Sequence, residues 1–453
     1  MRSDACCVGT FLLVLLSISV AYVAGSPVLS QPALSSTVLS DDTSRDLGSW
    51  IADILHEFPH ISYRLQLVGD RFDPSESEYL QSVSTFAVPF ACLGALLFVV
   101  GSAYAIYRCA CTDPNAEYRY QKWHRTSRVA LVFLTFLMIL ACGPGIWGSV
   151  EVTRSGPDIA DRIQESTDFL VDNAEGVNYS IIQLSNYLNG TYSSASNALS
   201  NAYAMQSDLN EYKDHMLTAE LVRNIVVVCL FGGIVLACTL GLLAALFGWG
   251  APSLMMVFML WLLLSFAWFM CGVHMSTAVG VADVCETGDD FFTYNYFKSN
   301  ESVAFVKYYM LCNSSMPYEN LQADGRNLFI RANESYYEAL ANNNTEEAQT
   351  WLQVRNQTQE LLGNVAALAD CSRTSSDYAE SKDRLCSDVI VGLSTMVGMW
   401  IFIGLLGLAA MPIGVAGYKQ FPLPLWYEEF GSELVLTREE KNYYPELAPI
   451  NFD

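Results

Sequence analysis

Apolar residues in this chain come in long uninterrupted blocks rather than in short alternating runs. Five blocks reach the length of about 20 residues that a helix needs to cross a hydrocarbon core. They are Phe86 to Tyr107, Val129 to Val150, Ile225 to Gly248, Leu254 to Val281 and Val389 to Tyr418. A sixth run, Val8 to Val23, is shorter, follows Arg2 and ends in Val23-Ala24-Gly25. Those features mark a signal peptide over 1–25, with an extra span as the alternative. Between Glu151 and Glu220, Ile159, Ile163, Leu170, Ile181, Leu184 and Leu188 recur at helical spacing. Spans two and three are therefore expected to continue beyond the membrane as an antiparallel helical pair, broken near Asn189-Gly190. The next long loop is expected to be irregular from Asp289 to Pro317, then helical over Glu319 to Ala341 and Thr345 to Ala369. No strand-like alternation of any length occurs. The fold class is an all-α membrane protein: five transmembrane helices and a helical extracellular domain formed by two large loops.

Charge orients the spans. Residues 108–128 carry Arg108, Arg119, Lys122, Arg125 and Arg128 against Asp113 and Glu117, which assigns this loop to the cytosol. The uncharged turn 249–253 makes spans three and four a tight hairpin. The segments that follow are an extracellular segment 26–85, span one 86–107, span two 129–150, an extracellular helical loop 151–224, and span three 225–248. Span four is 254–281, the second extracellular loop 282–388, span five 389–418 and a cytoplasmic tail 419–453. Asn-x-Ser/Thr sequons stand at Asn178, Asn189, Asn300, Asn313, Asn333, Asn343 and Asn356, all in the two loops assigned outside. Glycosylation acts on lumenal chain, so the sequons agree with the charge bias.

Composition sharpens this picture in two ways. The net charge is −23 although only 16% of residues are charged, and the outside segments hold nearly all of the excess. The exterior is an acidic face that attracts cations and repels anions and nucleic acid. Of thirteen cysteines, Cys285, Cys312, Cys371 and Cys386 alone lie in exposed extracellular chain, where disulfides form. Three pairings are open to them. Cys285 closes span four and Cys386 opens span five, which favours Cys285–Cys386 with Cys312–Cys371 nested inside. Cys109 and Cys111 flank span one on the cytosolic side, where palmitoylation and plain thiols are both consistent.

Chemistry is sparse. No phosphate loop, nucleophile elbow or Cys/His metal spacing appears, and no nucleophile, base and electrophile assemble, so an enzyme is not expected. His56 and His60 flank Pro59 and read as packing or capping residues. Asp283, Glu286, Asp289 and Asp290 form an acidic cluster at the membrane surface: candidate calcium ligands, or a solvated turn. No other cofactor is implied. Arg223, His274 and Asp388 are ionisable groups in or beside the spans, with Arg223 and Asp388 placed to pair. The spans otherwise lack the polar residues that line a wide pore. Trp261, Trp268 and Trp400 suit close packing or lipid contact.

The stretch Leu55-His56-Glu57-Phe58-Pro59-His60, then Phe72-Asp73-Pro74 and Tyr79-Leu80-Gln81-Ser82, precedes span one. Span four ends in Ser276-Thr277-Ala278-Val279-Gly280-Val281-Ala282-Asp283-Val284-Cys285. Tyr308-Tyr309-Met310-Leu311-Cys312, Asp370-Cys371, Asp377-Tyr378 and Leu385-Cys386-Ser387-Asp388 follow. In order and spacing these resemble the Tweety family from about Trp50 to span five. The resemblance implies five spans, an outside N-terminus, the nested disulfides and homodimers joined through the extracellular domain. It further implies a plasma-membrane chloride channel opened by calcium or cell swelling. Lipid binding without a pore, or a dimeric adhesion or membrane-organising scaffold, are the alternatives. The short tail ends Tyr443-Tyr444-Pro445-Glu446 without a Pro-Pro-x-Tyr motif, the chain has no Arg-Gly-Asp tripeptide, and the signal peptide is not a family feature.

Overall fold

The computed structural model describes residues 41–111, 124–187, 193–291, 300–312 and 319–420. The expected signal peptide, residues 112–123 of the basic loop, and the tail beyond Gln420 lie outside the described residues. The helices are α1 (Asp41–His56), α2 (Ser77–Thr85), α3 (Val88–Cys111), α4 (His124–Leu184), α5 (Ser193–Phe247) and α6 (Gly250–Asp290). They continue with α7 (Asn300–Leu311), α8 (Glu319–Ala341), α9 (Thr345–Leu368), α10 (Cys371–Arg384), a π turn Leu385–Val389 and α11 (Ile390–Gln420). Among the described residues the β-structure is one isolated bridge, Ile61 to Leu67.

Four helical stretches are long and apolar enough to cross a membrane, and the pair α2 and Val88–Tyr104 of α3, bent by 48°, is a fifth candidate. Spans two and three do run on as one long antiparallel pair. The break expected near Asn189 falls in the undescribed 188–192 between α4 and α5. The expected helices 319–341 and 345–369 are α8 and α9 almost to the residue. Asn344 sets the start of α9, accepting from the Glu347 amide while its own amide donates to the Glu347 carboxylate at 2.8 Å. The stretch read as irregular, Asp289 to Pro317, instead contains α7. Its Val306, Tyr308 and Tyr309 are buried, and the two tyrosine hydroxyls donate to the Ala369 and Leu368 carbonyls. Those are carbonyls that the end of α9 leaves without helical partners, so a tertiary contact sustains a helix too short and weakly periodic to be read alone.

Two cores result. One joins the spans: Leu131, Met138, Phe231, Leu260, Leu264, Met396 and Trp400 are buried, with the rings of Phe231 and Trp400 stacked at 4.1 Å. The other joins α4 to α7, α8 and α9 through Leu170, Val177, Leu184, Tyr309, Leu328, Leu361 and Val365. Rows facing away from the first core stay apolar and exposed, as Leu93, Leu96 and Val99 on α3 and Phe133, Phe136 and Leu140 on α4. That is the surface a hydrocarbon solvent requires. Trp261, Trp268 and Trp400 all pack between helices; the Trp261 indole donates to Leu97 O at 3.1 Å. Outside the spans, Arg162 joins Asp158 to Glu380 at 3.3 and 2.9 Å, tying α4 to α10.

Candidate functional site

Asp283 lies two residues beyond the apolar block of α6 and is fully buried. A bare carboxylate in that position is untenable, and three donors from the N-terminal segment satisfy it. His56 Nδ1 is 2.8 Å from Oδ1, while His60 Nε2 at 3.0 Å and the Tyr79 hydroxyl at 2.7 Å share Oδ2. Local sequence explains the convergence. α1 ends at His56, and Pro59 disfavours helix before it, so His60 swings back in extended chain. Tyr79 comes from the first turn of α2 and stacks on the His60 ring at 6.0 Å between centroids. Burial, and then the adjacent Asp283 charge, push the Tyr79 phenol far above its ordinary range, which keeps it a donor. His56 Nε2 faces Asp70 at 3.9 Å, and the buried His60 Nδ1 has no partner.

His56 and His60, read as packing or capping residues, thus meet on a single carboxylate. The signal for this was a lone Asp directly after a span, which needs donors if buried. The other acidic candidates disperse. Asp289 accepts from the Tyr378 hydroxyl and from Lys382 Nζ at 2.8 Å, and Asp290 pairs with Arg71 at 3.4 Å. Glu286 lines a cavity of ≈ 500 Å³ beside the Cys285–Cys386 bridge, together with Ala52, Met310, Leu311, Lys382 and Asp383. Burial, and then Asp289, push the Tyr378 phenol far upward. Among the described residues no three His, Cys, Asp or Glu side chains are placed to hold a metal ion.

Both disulfides are present in the nested arrangement, Cys285–Cys386 and Cys312–Cys371, with Cα separations of 5.7 and 5.6 Å, inside the ordinary range. Of the sequon asparagines, Asn343 and Asn356 are exposed, and Asn178 and Asn333 are half-buried. Asn189 and Asn313 lie outside the described residues, as does the side chain of Asn300.

The intramembrane candidates separate too. Arg223 on α5 pairs with Glu220 and donates to Thr153 Oγ1 at 3.0 Å, Ser149 O at 3.3 Å and Met396 Sδ at 3.6 Å. Asp388 instead receives the neighbouring Ser387 hydroxyl at 3.3 Å. Arg223 therefore joins α4, α5 and α11 at the polar end of the spans. His274 is buried on α6, with Nδ1 on Met270 O at 2.7 Å and Nε2 without a partner.

A family model described as Tweety matches residues 47–156 and 161–416. Protein tweety homolog 3 of Xenopus laevis is 23% identical over 412 residues, covering 77% of this chain and 73% of the relative. Protein tweety homolog 2-like of Danio rerio is 25% identical over 386 residues, covering 77% and 72%. Protein tweety of Drosophila melanogaster is 22% identical over 396 residues, covering 77% of this chain and 40% of the relative. Apart from 157–160 within α4, the family match takes in α2 to α10 and all but the ends of α1 and α11, including Asp283, its three donors, Arg223 and both disulfides. The chain belongs to the Tweety family.

Proposed function

We propose that this protein crosses the plasma membrane five times and conducts chloride in response to calcium or cell swelling. The fifth crossing is α3, entered through the bend after α2. The N-terminus and the two helical loops lie outside, the two loops carry glycans, the tail lies in the cytosol, and two copies join through the helical domain. Support for an anion route comes from one observation: Arg223 holds a fixed positive charge, 15% exposed, between spans two, three and five. The shortage of polar residues in the spans confines the route to a seam between helices rather than a wide pore. Glu220 neutralises Arg223 in this conformation, so conduction requires that pair to open. In planar bilayers the purified protein gives anion current that Arg223→Gln lowers and Glu220→Gln raises. No anion current at any calcium concentration or membrane tension overturns the reading.

Lipid handling without a pore is the second reading. What favours it is the cavity between α1, α6, α7 and α10, apolar along Ala52, Met310 and Leu311 and charged at Lys382 and Glu286. An amphiphile needs one apolar wall and a few placed polar groups. Native mass spectrometry after mild extraction decides it, since absence of retained lipid removes the reading. Crosslinking on intact cells that recovers only monomer removes the dimer.

A further inference from the structure

The segment between α1 and α2 forms a small hairpin. Ile61 and Leu67 bridge, the Ser62 amide donates to Gln66 O at 2.9 Å, and the Leu65 amide donates to Ser62 O at 2.8 Å. A loop of this kind asks its last residue for a positive φ, normally met by glycine. Here Leu65 takes it, with φ 59°. It is also 86% exposed, with Leu67 at 79% and Tyr63 at 59%. A strained leucine held out in water next to two more apolar side chains gains nothing from the fold itself.

The hairpin's anchors set its depth. His60 holds Asp283, about 3 Å along the helix axis from Val281, the last residue of that apolar block. The His60 ring also meets the edge of Phe86 at 5.9 Å, and Phe58 stacks on Phe86 at 6.0 Å. Phe86 is the first residue of the apolar block of span one. The hairpin base is thus fixed to two spans at the level where each reaches the membrane surface. Past Phe86, the exposed apolar surface continues down Val88, Leu93 and Leu96 of α3. Tyr63 to Leu67 contains Arg64 and no acidic residue, in a chain of net charge −23. A tyrosine, two leucines and an arginine suit the boundary between phospholipid headgroups and acyl chains.

We infer that the Tyr63–Leu67 tip is seated in the adjacent phospholipid leaflet, as a wedge that fixes the N-terminal segment to the bilayer. The test uses the full chain in phosphatidylcholine nanodiscs, with p-benzoylphenylalanine replacing Leu65 or, as control, the exposed Tyr337 of α8. After irradiation, mass spectrometry is expected to find lipid adducts at position 65 about tenfold above position 337. Adducts from position 65 to a second copy of the chain, or lipid adducts no more frequent than at 337, overturn the inference. A second arm separates wedge from fold. Leu65→Gly suits the backbone, so thermal stability in detergent is retained or raised. Lipid adducts from p-benzoylphenylalanine at position 67 nonetheless fall several-fold, and an unchanged yield refutes the role of Leu65.

Discussion

His60 Nε2 and Asp283 Oδ2 lie 3.0 Å apart with both side chains fully buried, and this contact closes the N-terminal segment onto span four. Removing the carboxylate strands three donors, two of them out of reach of water. Asp283→Ala is expected to destabilise by about 3–5 kcal/mol, and Tyr79→Phe by about 1–3 kcal/mol. Asp283→Asn falls between, because its one acceptor oxygen replaces two. Thermal unfolding of the purified variants checks the order. An Asp283→Ala protein that melts with the parent excludes the latch.

A Cβ added at Gly148 would stand 2.6 Å from Gly392 O, and one added at Gly392 would stand 2.8 Å from Gly148 O. The backbones of α4 and α11 therefore touch, as small residues allow in membrane helices. Either alanine is expected to cost about 1–3 kcal/mol by forcing the helices apart. Once they are apart the second alanine meets less resistance, so the pair costs less than the sum of the singles. Strict additivity in a double-mutant cycle in detergent contradicts the contact.

The long apolar helices, the α4–α5 pair, α8 and α9 were legible because each rests on a signal within one element: unbroken apolar length, or apolar spacing at the helical period. The nested cysteines were legible because Cys285 and Cys386 sit at the mouths of two spans. Other features depend on partners distant in the chain. α7 exists against the end of α9, and the Asp283 latch joins residues 227, 223 and 204 positions apart. In the sequence Asp283 looked like one more carboxylate in an acidic turn, since burial alone separates it from Glu286, Asp289 and Asp290. Arg223 likewise had a nearer partner than Asp388, one helical turn away at Glu220.

That pair gives a stability prediction independent of ion flow. Arg223→Gln leaves the Glu220 carboxylate, 15% exposed, without its cation and is expected to cost about 2–3 kcal/mol. Adding Glu220→Gln removes the stranded charge, so the double variant recovers part of the loss. If the double variant is less stable than Arg223→Gln alone by the full cost of Glu220→Gln, the two side chains do not act together.

Alkaline pH should loosen the polar end of the spans through Tyr79 and Tyr378. Both phenols ionise far higher in the folded chain than the ordinary value near 10, chiefly because burial disfavours the phenolate, and then because Asp283 and Asp289 sit against them. The folded state therefore holds these protons when the unfolded state has lost them. Their contribution is complete below about pH 10 and declines above it, by up to about 1.4 kcal/mol per pH unit for each tyrosine. Melting temperature is expected to stay level to about pH 10 and then fall. Tyr79→Phe with Tyr378→Phe starts lower, having lost two hydrogen bonds to carboxylates, but falls less steeply because two titrating groups are gone. Equal slopes in parent and double variant between about pH 9 and 11 rule out this linkage.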